Sequence, residues 1–202
     1  MNDYKVVSAK LPTQWANFEL YAFDFGSEHH LALALGDIGK DSPVLTRIHS
    51  ECLTGDAFSS LRCDCRSQLE NAMEMIAKEG SGLLIYLRQE GRGIGIVNKV
   101  KAYRLQDSGA DTVEANISLG LGVDNRSYGV CKSIFDYFGI NSIRLITNNP
   151  DKIESVRKMG INVTHIISKS QVTPHNISYL RTKLGRMGHM LGHLDDANFE
   201  ED

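Results

Sequence analysis

Between residues 44 and 167 the chain alternates short apolar runs with longer segments of helical apolar spacing, and this alternation limits the possible folds more than any other feature. A short apolar run bounded by turn-forming residues is typical of a buried strand. Alternating strands and helices predict an α+β (mixed α/β) fold, in which mixed β-sheets are packed with helices. The predicted strands are Val44–Ile48, Gly82–Leu87, Ser142–Ile146 and Ile161–Ile167.

The segments between these strands are predicted as helices, because their apolar residues recur every three to four positions and a glycine follows most of them. One helix has a particularly clear start. Asn149 can cap it, and Pro150 suits its first turn, where no backbone N–H is needed. The predicted helices are Ser67–Lys78, Ile96–Asp107, Ser127–Phe138, Asp151–Met159 and a stretch within His175–Leu191.

The two ends of the chain are less regular. Val6–Ala34 is rich in strand-forming residues, but its pattern does not indicate a topology. Asp195–Asp202 is acidic and is predicted to be a disordered tail. Because the 202 residues contain no internal repeat and no linker, we expect one compact domain over residues 1–194, followed by that tail.

The charge balance limits the class of partner. A formal net charge of -3 argues against a broad surface for nucleic acid or an anionic membrane, although a few converging cations can still bind a phosphate. No stretch has the length and apolarity of a membrane span, and Met1–Lys10 lacks the apolar run of a signal peptide. We therefore expect a cytoplasmic protein with no nucleic-acid or membrane partner, whose 4 cysteines stay reduced.

Cys52, Cys63 and Cys65 lie close together in a polar stretch. Three thiolates in a reduced compartment indicate a soft-metal site, for which zinc is the most suitable ion. The spacing leaves two interpretations open: a catalytic site with an exchangeable fourth position, or a structural site closed by His49. Charged neighbours disfavour the third interpretation, in which these are buried core thiols. Cys131, by contrast, lies at a helical position among apolar residues and is predicted as a core thiol.

Five motifs in a fixed order extend the pattern beyond the cysteines. Together they resemble the signature of the GTP cyclohydrolase II family, and the resemblance runs from about Lys10 to Leu191. Any one motif alone is a weak signal, whereas all of them in order are specific. The motifs are Arg47–Asp56 continued by Leu61–Cys65, Arg88–Gly95, Asp111–Asn116, Asp124–Tyr128 and Leu145–Pro150.

The resemblance implies a reaction and its metals. Members of the family open the imidazole ring of GTP by hydrolysis and release formate and pyrophosphate, in the first step of riboflavin biosynthesis. The remaining product is a diaminopyrimidinone ribosyl phosphate. They use one zinc ion per subunit, take magnesium with the triphosphate, and form homodimers. On this resemblance GTP is the substrate, Cys52, Cys63 and Cys65 bind zinc, and water fills the fourth position.

The resemblance also implies catalytic roles. Tyr103, which by its sequence alone is an ordinary aromatic residue of the Ile96–Asp107 helix, is expected to assist the hydrolysis at C8 of guanine. Arg126 is expected to attack the α-phosphorus and form a covalent phosphoguanosine intermediate, with Asp124 as its base. A guanidinium with a pKa above ~12 is a poor nucleophile. A second role therefore stays open, in which Arg126 only stabilises the charge of the transition state.

The remaining matched positions are expected to contact the nucleotide. Two have independent support. Thr147 ends a predicted strand just before a helix, where ligands of α/β sheets commonly bind. Lys152 places a cation in the first turn of that helix, a position that favours anions. The expected nucleotide contacts are Arg47, Ile48, His49, Ser50, Glu51, Gln68, Glu90, Gly91, Arg92, Thr112, Thr147 and Lys152.

One position departs from the family pattern, since Arg66 stands where many members have glycine after the third cysteine. Two other functions are compatible with the sequence. The first is a paralogue that retains the formyl group or hydrolyses only the triphosphate, which Tyr103 and the intact cysteines disfavour. The second is a non-catalytic zinc- or nucleotide-binding module, which the acidic balance and the lack of an aromatic stacking motif disfavour.

Overall fold

A computed structural model of the chain describes residues 4–39, 43–122, 124–168 and 172–190. Contacts between Cα atoms divide the chain into two units. In the described part of the chain, the first unit contains residues 4–39, 43–50, 69–88 and 127–168. The second unit contains residues 51–68, 89–122, 124–126 and 172–190.

Within the described ranges, seven strands form one mixed sheet in the first unit. They are β1 (Lys5–Pro12), β2 (Asn17–Asp24), β3 (His29–Leu35), β4 (Val44–Ser50), β5 (Gly82–Leu87), β6 (Ser142–Ile146) and β7 (Asn162–Ile166). Across the sheet their order is β1-β2-β3-β5-β4-β6-β7. The pairs from β1 to β5 are antiparallel, and those from β5 to β7 are parallel. The predicted mixed fold class is therefore confirmed.

The parallel half of the sheet is the part that the apolar runs predict strand by strand. β5 and β6 have the predicted bounds, and β4 extends beyond Ile48 to Ser50. Every residue of β4 before Ser50 is buried, which is typical of a strand covered on both faces. The antiparallel strands β1 to β3 occupy the region for which the sequence gives no topology.

The helices are α1 (Leu53–Asp56), α2 (Cys65–Glu79), α3 (Gly95–Gln106), α4 (Thr112–Ser118), α5 (Val130–Phe138), α6 (Pro150–Lys158) and α7 (Ile177–Met187). A short 3-10 turn covers Glu90–Gly93. None of the helices in the described ranges is long and apolar enough to cross a membrane. The end of the predicted last helix at Leu191 and the predicted tail Asp195–Asp202 lie outside the described residues.

In the part of the first unit that the structure describes, two apolar cores hold helices against the sheet. Ile85 belongs to a core shared with α5 and α6, and its neighbour Leu84 belongs to a second core shared with α2. Because consecutive strand residues point to opposite faces, these cores lie on opposite sides of the sheet. Cys131 of α5 is fully buried in the first core, which confirms its prediction as a core thiol.

The helix starts follow local hydrogen-bonding chemistry. α6 begins as predicted, because the Asn149 side chain accepts a hydrogen bond from the N–H of Asp151 at 2.9 Å. α5 begins at Val130, later than the predicted Ser127. The Ser127 hydroxyl accepts from the N–H of Gly129 at 3.4 Å, and such local bonds compete with helix formation.

α4 is a helix that the sequence analysis does not predict. Asp111 caps it by accepting from Val113 and Glu114, and the Glu114 carboxylate accepts from the N–H of Asp111 at 3.0 Å. This reciprocal arrangement is a capping box, and its two residues, three positions apart, are visible in the sequence. The motif Asp111–Asn116 therefore has a structural reason in addition to its resemblance.

Candidate active site

The three cysteines of the predicted metal site lie together in the second unit. The Sγ atoms of Cys52, Cys63 and Cys65 all lie within 4.8 Å of one another. Cys52 directly precedes α1, and Cys65 begins α2, so two helix starts and the loop between them supply the sulfurs. Among the described residues no histidine or carboxylate joins this group. The interpretation in which His49 is a fourth ligand therefore gains no support from this group of three thiols.

Gly55 of α1 allows the sulfurs to lie against the helix backbone. A Cβ atom at this position would lie 2.9 Å from Cys63 Sγ and 3.2 Å from Cys52 Sγ. Such distances are too short for close-packed atoms. Three soft donors with glycine beside them fit a zinc ion bound by thiolates.

The acidities of the three thiols depend on one another. Hydrogen bonds from Cys63 and Cys65, helped by the Lys99 ammonium, lower the pKa of Cys52 far below its usual value. The hydrogen bond to Cys52 raises the pKa of Cys63 to about 11. Hydrogen bonds to Cys52 and Cys63 likewise raise the pKa of Cys65. A bound divalent cation is what would ionise all three sulfurs, since thiolates so close together repel one another.

Lys99 of α3 connects the thiol group to Glu90. Its Nζ lies 3.1 Å from Cys52 Sγ and 2.8 Å from Glu90 Oε1. The Glu90 carboxylate also accepts from the backbone N–H groups of Leu53 at 2.6 Å and Gly91 at 2.7 Å. Burial opposes the charge of Lys99, but Cys52 and Glu90 together raise its pKa. Glu90 is thus engaged within the second unit.

Tyr103 lies one helical turn after Lys99 on α3. Its hydroxyl is 3.3 Å from Thr54 Oγ1, which is 3.8 Å from Cys52 Sγ. The Arg62 guanidinium lies 4.9 Å from the centroid of the Tyr103 ring. Burial raises the pKa of Tyr103, so the phenol keeps its proton near neutral pH. The expected catalytic tyrosine therefore lies beside the thiol group and can donate a proton there.

Asp64 lies between two of the cysteines in the sequence, and its side chain is fully buried. Lys183 of α7 donates to its Oδ1 at 2.7 Å, and Gln68 donates to its Oδ2 at 2.5 Å. Burial opposes the charge of Lys183, but Asp64 raises its pKa. Gln68, which the resemblance places at the nucleotide, therefore supports the cysteine loop. The neighbouring Arg66 donates to the Ser59 hydroxyl.

The turn before α3 adopts left-handed backbone conformations at consecutive residues. The φ angle is 62° at Gly91 and 60° at Arg92, and it is 86° at Gly93. A non-glycine residue such as Arg92 is strained there, and such residues cluster at functional sites. The carbonyl of Arg92 accepts from the N–H of Asn125 at 3.0 Å. This contact joins the turn to the loop that carries Arg126.

Arg126 and Asp124 form a forked pair on that loop. Arg126 Nε lies 2.9 Å from Asp124 Oδ1 and 3.1 Å from Oδ2, and its terminal nitrogen also donates to Oδ2. The side chain of Arg126 is 12% exposed and that of Asp124 is 30% exposed. Burial opposes ionisation, but the hydrogen bonds and charge of Arg126 lower the pKa of Asp124. The carboxylate is therefore ionised and can fix the orientation of the guanidinium.

In the first unit, two cations lie at the carboxyl ends of the parallel strands. Arg47 donates to the carbonyl of Ile146 at 3.1 Å, and Lys152 Nζ donates to the carbonyl of Ile48 at 2.7 Å. Lys152 Nζ also lies 5.4 Å from the centroid of the Tyr128 ring. Both cations are buried. A buried ammonium is costly without polar partners, so Lys152 is held in place and does not simply extend into solvent.

Thr147 follows β6 and precedes α6, as the sequence predicts. Its hydroxyl accepts from the N–H of Asn149 at 3.1 Å, and its carbonyl lies 2.7 Å from His165 Nε2. His49 stacks on Tyr86, with 5.4 Å between the ring centroids. These polar groups lie at the edge where parallel sheets commonly bind ligands.

The predicted site residues thus fall into two groups, one in each unit. Those in the first unit are Arg47, Ile48, His49, Ser50, Thr147 and Lys152. Those in the second unit are Glu51, Cys52, Cys63, Cys65, Gln68, Glu90, Gly91, Arg92, Tyr103, Thr112, Asp124 and Arg126. Thr112 begins α4, and its hydroxyl accepts from the Gln106 side chain at 3.4 Å.

Several residues around the thiols are absent from the sequence-based prediction. A signal was available for two of them. Lys99 lies four positions before Tyr103, which places both on one face of a helix. Thr54 belongs to the same motif as Cys52. Nothing in the sequence pairs Asp64 with Lys183, because they meet only through the fold.

The chain resembles proteins of known family. Residues 4–168 match the family model described as GTP cyclohydrolase II. The GTP cyclohydrolase-2 of Saccharophagus degradans is 52% identical over 193 residues, which are 94% of this chain and 96% of that protein. The one from Azotobacter vinelandii is 51% identical over 198 residues, covering 96% and 95% of the two chains. The one from Pseudomonas syringae is 53% identical over 190 residues, covering 93% of each.

A solved structure also aligns with this chain. It is the two-domain 3,4-dihydroxy-2-butanone 4-phosphate synthase from A. baumannii, with 17% sequence identity and a TM-score of 0.47. The alignment covers 84% of this chain and 41% of that chain.

Proposed function

Because the chain belongs to the GTP cyclohydrolase II family of riboflavin biosynthesis, we propose that it hydrolyses the imidazole ring of GTP with a zinc ion held by Cys52, Cys63 and Cys65. Formate and pyrophosphate leave, and a diaminopyrimidinone ribosyl phosphate remains. The observation that carries this proposal is the group of three thiols within 4.8 Å beside the hydroxyl of Tyr103. The donor set is soft, and Gly55 gives it room against the backbone.

Bound zinc and three residues beside the thiols would have complementary tasks. Bound zinc supplies a Lewis acid and lowers the pKa of a water molecule to ~7, which provides a nucleophile at neutral pH. The Tyr103 phenol is protonated and donates its proton to a ring nitrogen as the bond at C8 breaks. Thr54 holds the phenol in position, 3.3 Å from its hydroxyl. Arg62 stacks over the ring and restricts its rotation.

The triphosphate is handled by Arg126, which Asp124 orients. A planar guanidinium matches the oxygens of a phosphate and stays charged at all relevant pH values. Magnesium that accompanies the triphosphate adds positive charge at the leaving pyrophosphate. The guanidinium either attacks the α-phosphorus, with Asp124 as base, or stabilises the charge of the transition state. Mass spectrometry of enzyme quenched during turnover distinguishes these roles, since only attack adds the nucleotide covalently to Arg126.

The nucleotide contacts expected from the resemblance remain part of this proposal. Arg47 and Lys152 supply positive charge, and Thr147 supplies a hydroxyl at the carboxyl edge of the parallel strands. Glu90 and Gln68 serve the site through the cysteine loops that they hold. Homodimer formation and a cytoplasmic location also follow from the resemblance, and sedimentation and cell fractionation test them.

The experiment combines product analysis with metal analysis. Purified protein that contains one zinc per chain is incubated with GTP and magnesium, and the products are identified by mass. We expect the deformylated pyrimidine and pyrophosphate, and we expect Cys63→Ser to lose both zinc and turnover. Cys131→Ser, a matched change in the apolar core, should retain both. A product that keeps the formyl group would assign the formyl-retaining activity, and fully zinc-loaded protein that leaves GTP intact would refute the proposal.

A further inference from the structure

The side chain of Lys99 is held between a cysteine and a glutamate. Its Nζ is 3.1 Å from Cys52 Sγ on one side and 2.8 Å from Glu90 Oε1 on the other. The side chains of Lys99 and Glu90 are each 11% exposed. An ion pair so well shielded from water is not an ordinary surface pair, which contributes little. This geometry points the ammonium at a sulfur of the proposed metal site.

Glu90 is itself fixed at both oxygens. Oε2 accepts from the N–H of Leu53 at 2.6 Å, and Oε1 accepts from the N–H of Gly91 at 2.7 Å. The first of these donors directly follows Cys52 in the chain. The Glu90 carboxylate therefore holds two groups: the backbone directly after Cys52, and the ammonium of Lys99, which approaches the Cys52 sulfur. Glu90 can fix the position of Lys99 without moving itself.

We propose that Lys99 is a positioning residue that acts on the metal through Cys52. It donates a charge-assisted hydrogen bond to the thiolate, and Glu90 fixes its orientation. This inference rests on the proposed function only in taking Cys52 as a metal ligand. Its role resembles that of the carboxylates that orient metal-bound histidines. Here the lysine takes the place of the carboxylate, and the thiolate takes the place of the imidazole.

The physical reason lies in the charge of the donor set. Three thiolates around a divalent zinc ion give a net charge of about -1, and they donate electron density that weakens the metal as a Lewis acid. A hydrogen bond to one thiolate withdraws part of that density. A bound metal would then be a stronger Lewis acid than it would be with three thiolates that accept no such hydrogen bond. Tyr103, one turn further along α3, is kept at the same site by the same helix.

The test uses variants that change one interaction each. Lys99→Met removes the donor and keeps the length of the side chain. Glu90→Gln keeps the volume and weakens the fixation of Lys99. Lys101→Met is the matched control, because Lys101 is an exposed lysine of the same helix. Its Nζ lies 3.5 Å from Asn98 Oδ1. Each protein is studied with zinc for kinetics and with cobalt(II) for the sulfur-to-metal charge-transfer band.

We expect Lys99→Met to retain one metal per chain and to lower kcat about 10- to 100-fold with little change in KM. Its charge-transfer band should move to lower energy, because a thiolate without a hydrogen bond gives up electron density more easily. Glu90→Gln should shift the band in the same direction by less, and Lys101→Met should not shift it. If Lys99→Met is poorly folded, the shift in Glu90→Gln decides the matter.

Two results would overturn the inference. One is a charge-transfer band at the wild-type energy in both Lys99→Met and Glu90→Gln, which would leave the ion pair a purely structural role. The other is loss of the metal from Lys99→Met at saturating zinc, which would make Lys99 a residue for metal retention. Failure of the proposed function is separate, since it appears as the absence of formate from the wild-type protein, whatever the band positions are.

Discussion

The carboxylate of Asp64 and the ammonium of Lys183 meet at 2.7 Å, although the two residues are 119 positions apart in the sequence. Their side chains are 0% and 9% exposed, so water screens neither charge. The pair joins α7 to the residue between Cys63 and Cys65, directly before α2. The geometry of the thiol group within the second unit therefore depends on a helix far along the chain.

Removing one partner of this pair should destabilise the protein strongly. Lys183→Met leaves the Asp64 carboxylate buried without its cation, which costs about 3–5 kcal/mol. We expect a loss of that size in the free energy of unfolding measured with urea. Lys78→Met, which breaks the exposed pair with Glu74, should cost less than about 1 kcal/mol. Equal losses in the two variants would contradict the burial of the Asp64 charge.

Gly55 provides a test of the thiol geometry. In Gly55→Ala the new methyl group would lie 2.9 Å from Cys63 Sγ, so the sulfurs must move apart. We expect less than one zinc per chain by elemental analysis and at least a tenfold loss of kcat, on the order of the effects of disturbed metal surroundings. Gly185→Ala on α7 meets no atom within 4 Å and should retain zinc and activity. Full zinc content in Gly55→Ala would argue against this geometry.

The forked pair of Arg126 and Asp124 should matter for turnover more than for stability. Arg126→Lys keeps the charge but loses the planar fork, and we expect kcat to fall about 100-fold or more. Asp124→Asn should also lower kcat, because the guanidinium loses its orienting charge. The control is Lys132→Ala, which removes an exposed ion pair with Asp136 on α5. Wild-type kcat in Arg126→Lys would mean that this arginine does not act on the triphosphate.

His30 should make the stability of the first unit depend on pH. The side chain is buried, and Nδ1 accepts from the N–H of Arg88 at 3.1 Å. Burial lowers the pKa of His30 below its ordinary value of 6.5, although Glu28 opposes that shift. As the pH falls below about 6.5, His30 binds a proton in the unfolded chain but stays neutral in the folded protein. Stability then decreases by up to about 1.4 kcal/mol per pH unit, and it is regained above that pH.

Thermal unfolding between about pH 7.5 and 5.5 measures this effect. His30→Asn keeps an acceptor for Arg88 without a titrating ring, and its Tm should fall less steeply with acid than that of the wild type. His175→Gln changes an exposed histidine and should keep the wild-type slope. Identical slopes in His30→Asn and the wild type would show that His30 does not contribute.

In the parallel half of the sheet, β5 and β6 could be predicted from the sequence because each is a short, largely apolar run between turn-forming residues. Gly82–Leu87 and Ser142–Ile146 have the bounds that the apolar runs give. The antiparallel strands β1 to β3 are half exposed, so their pattern does not show which strand pairs with which. α4 was missed because its signal lies in the capping box of Asp111 and Glu114 and not in its apolar spacing.

In the candidate site, too, some residues could be predicted from the sequence and others could not. The grouping of the three cysteines could be predicted because thiols in a short polar stretch indicate a metal by their chemistry. The order of the motifs predicted Tyr103 beside them, and the role of Arg126 stays a prediction. The supporting residues could not, since Lys183 and Arg62 reach the site only through the tertiary structure. The side chains of Glu90 and Gln68 hold the cysteine loops, a role that a match of motifs does not show.

The most direct test of the central claim follows the carbon that leaves the ring. Zinc-loaded protein is given magnesium and GTP labelled with carbon-13 at C8, and the reaction is observed by NMR. We predict that labelled formate appears in equal amount to the pyrimidine product, and that a chelator which removes the zinc stops its release. Consumption of GTP without labelled formate, or release that continues after the zinc is gone, would contradict hydrolysis by a metal held on Cys52, Cys63 and Cys65.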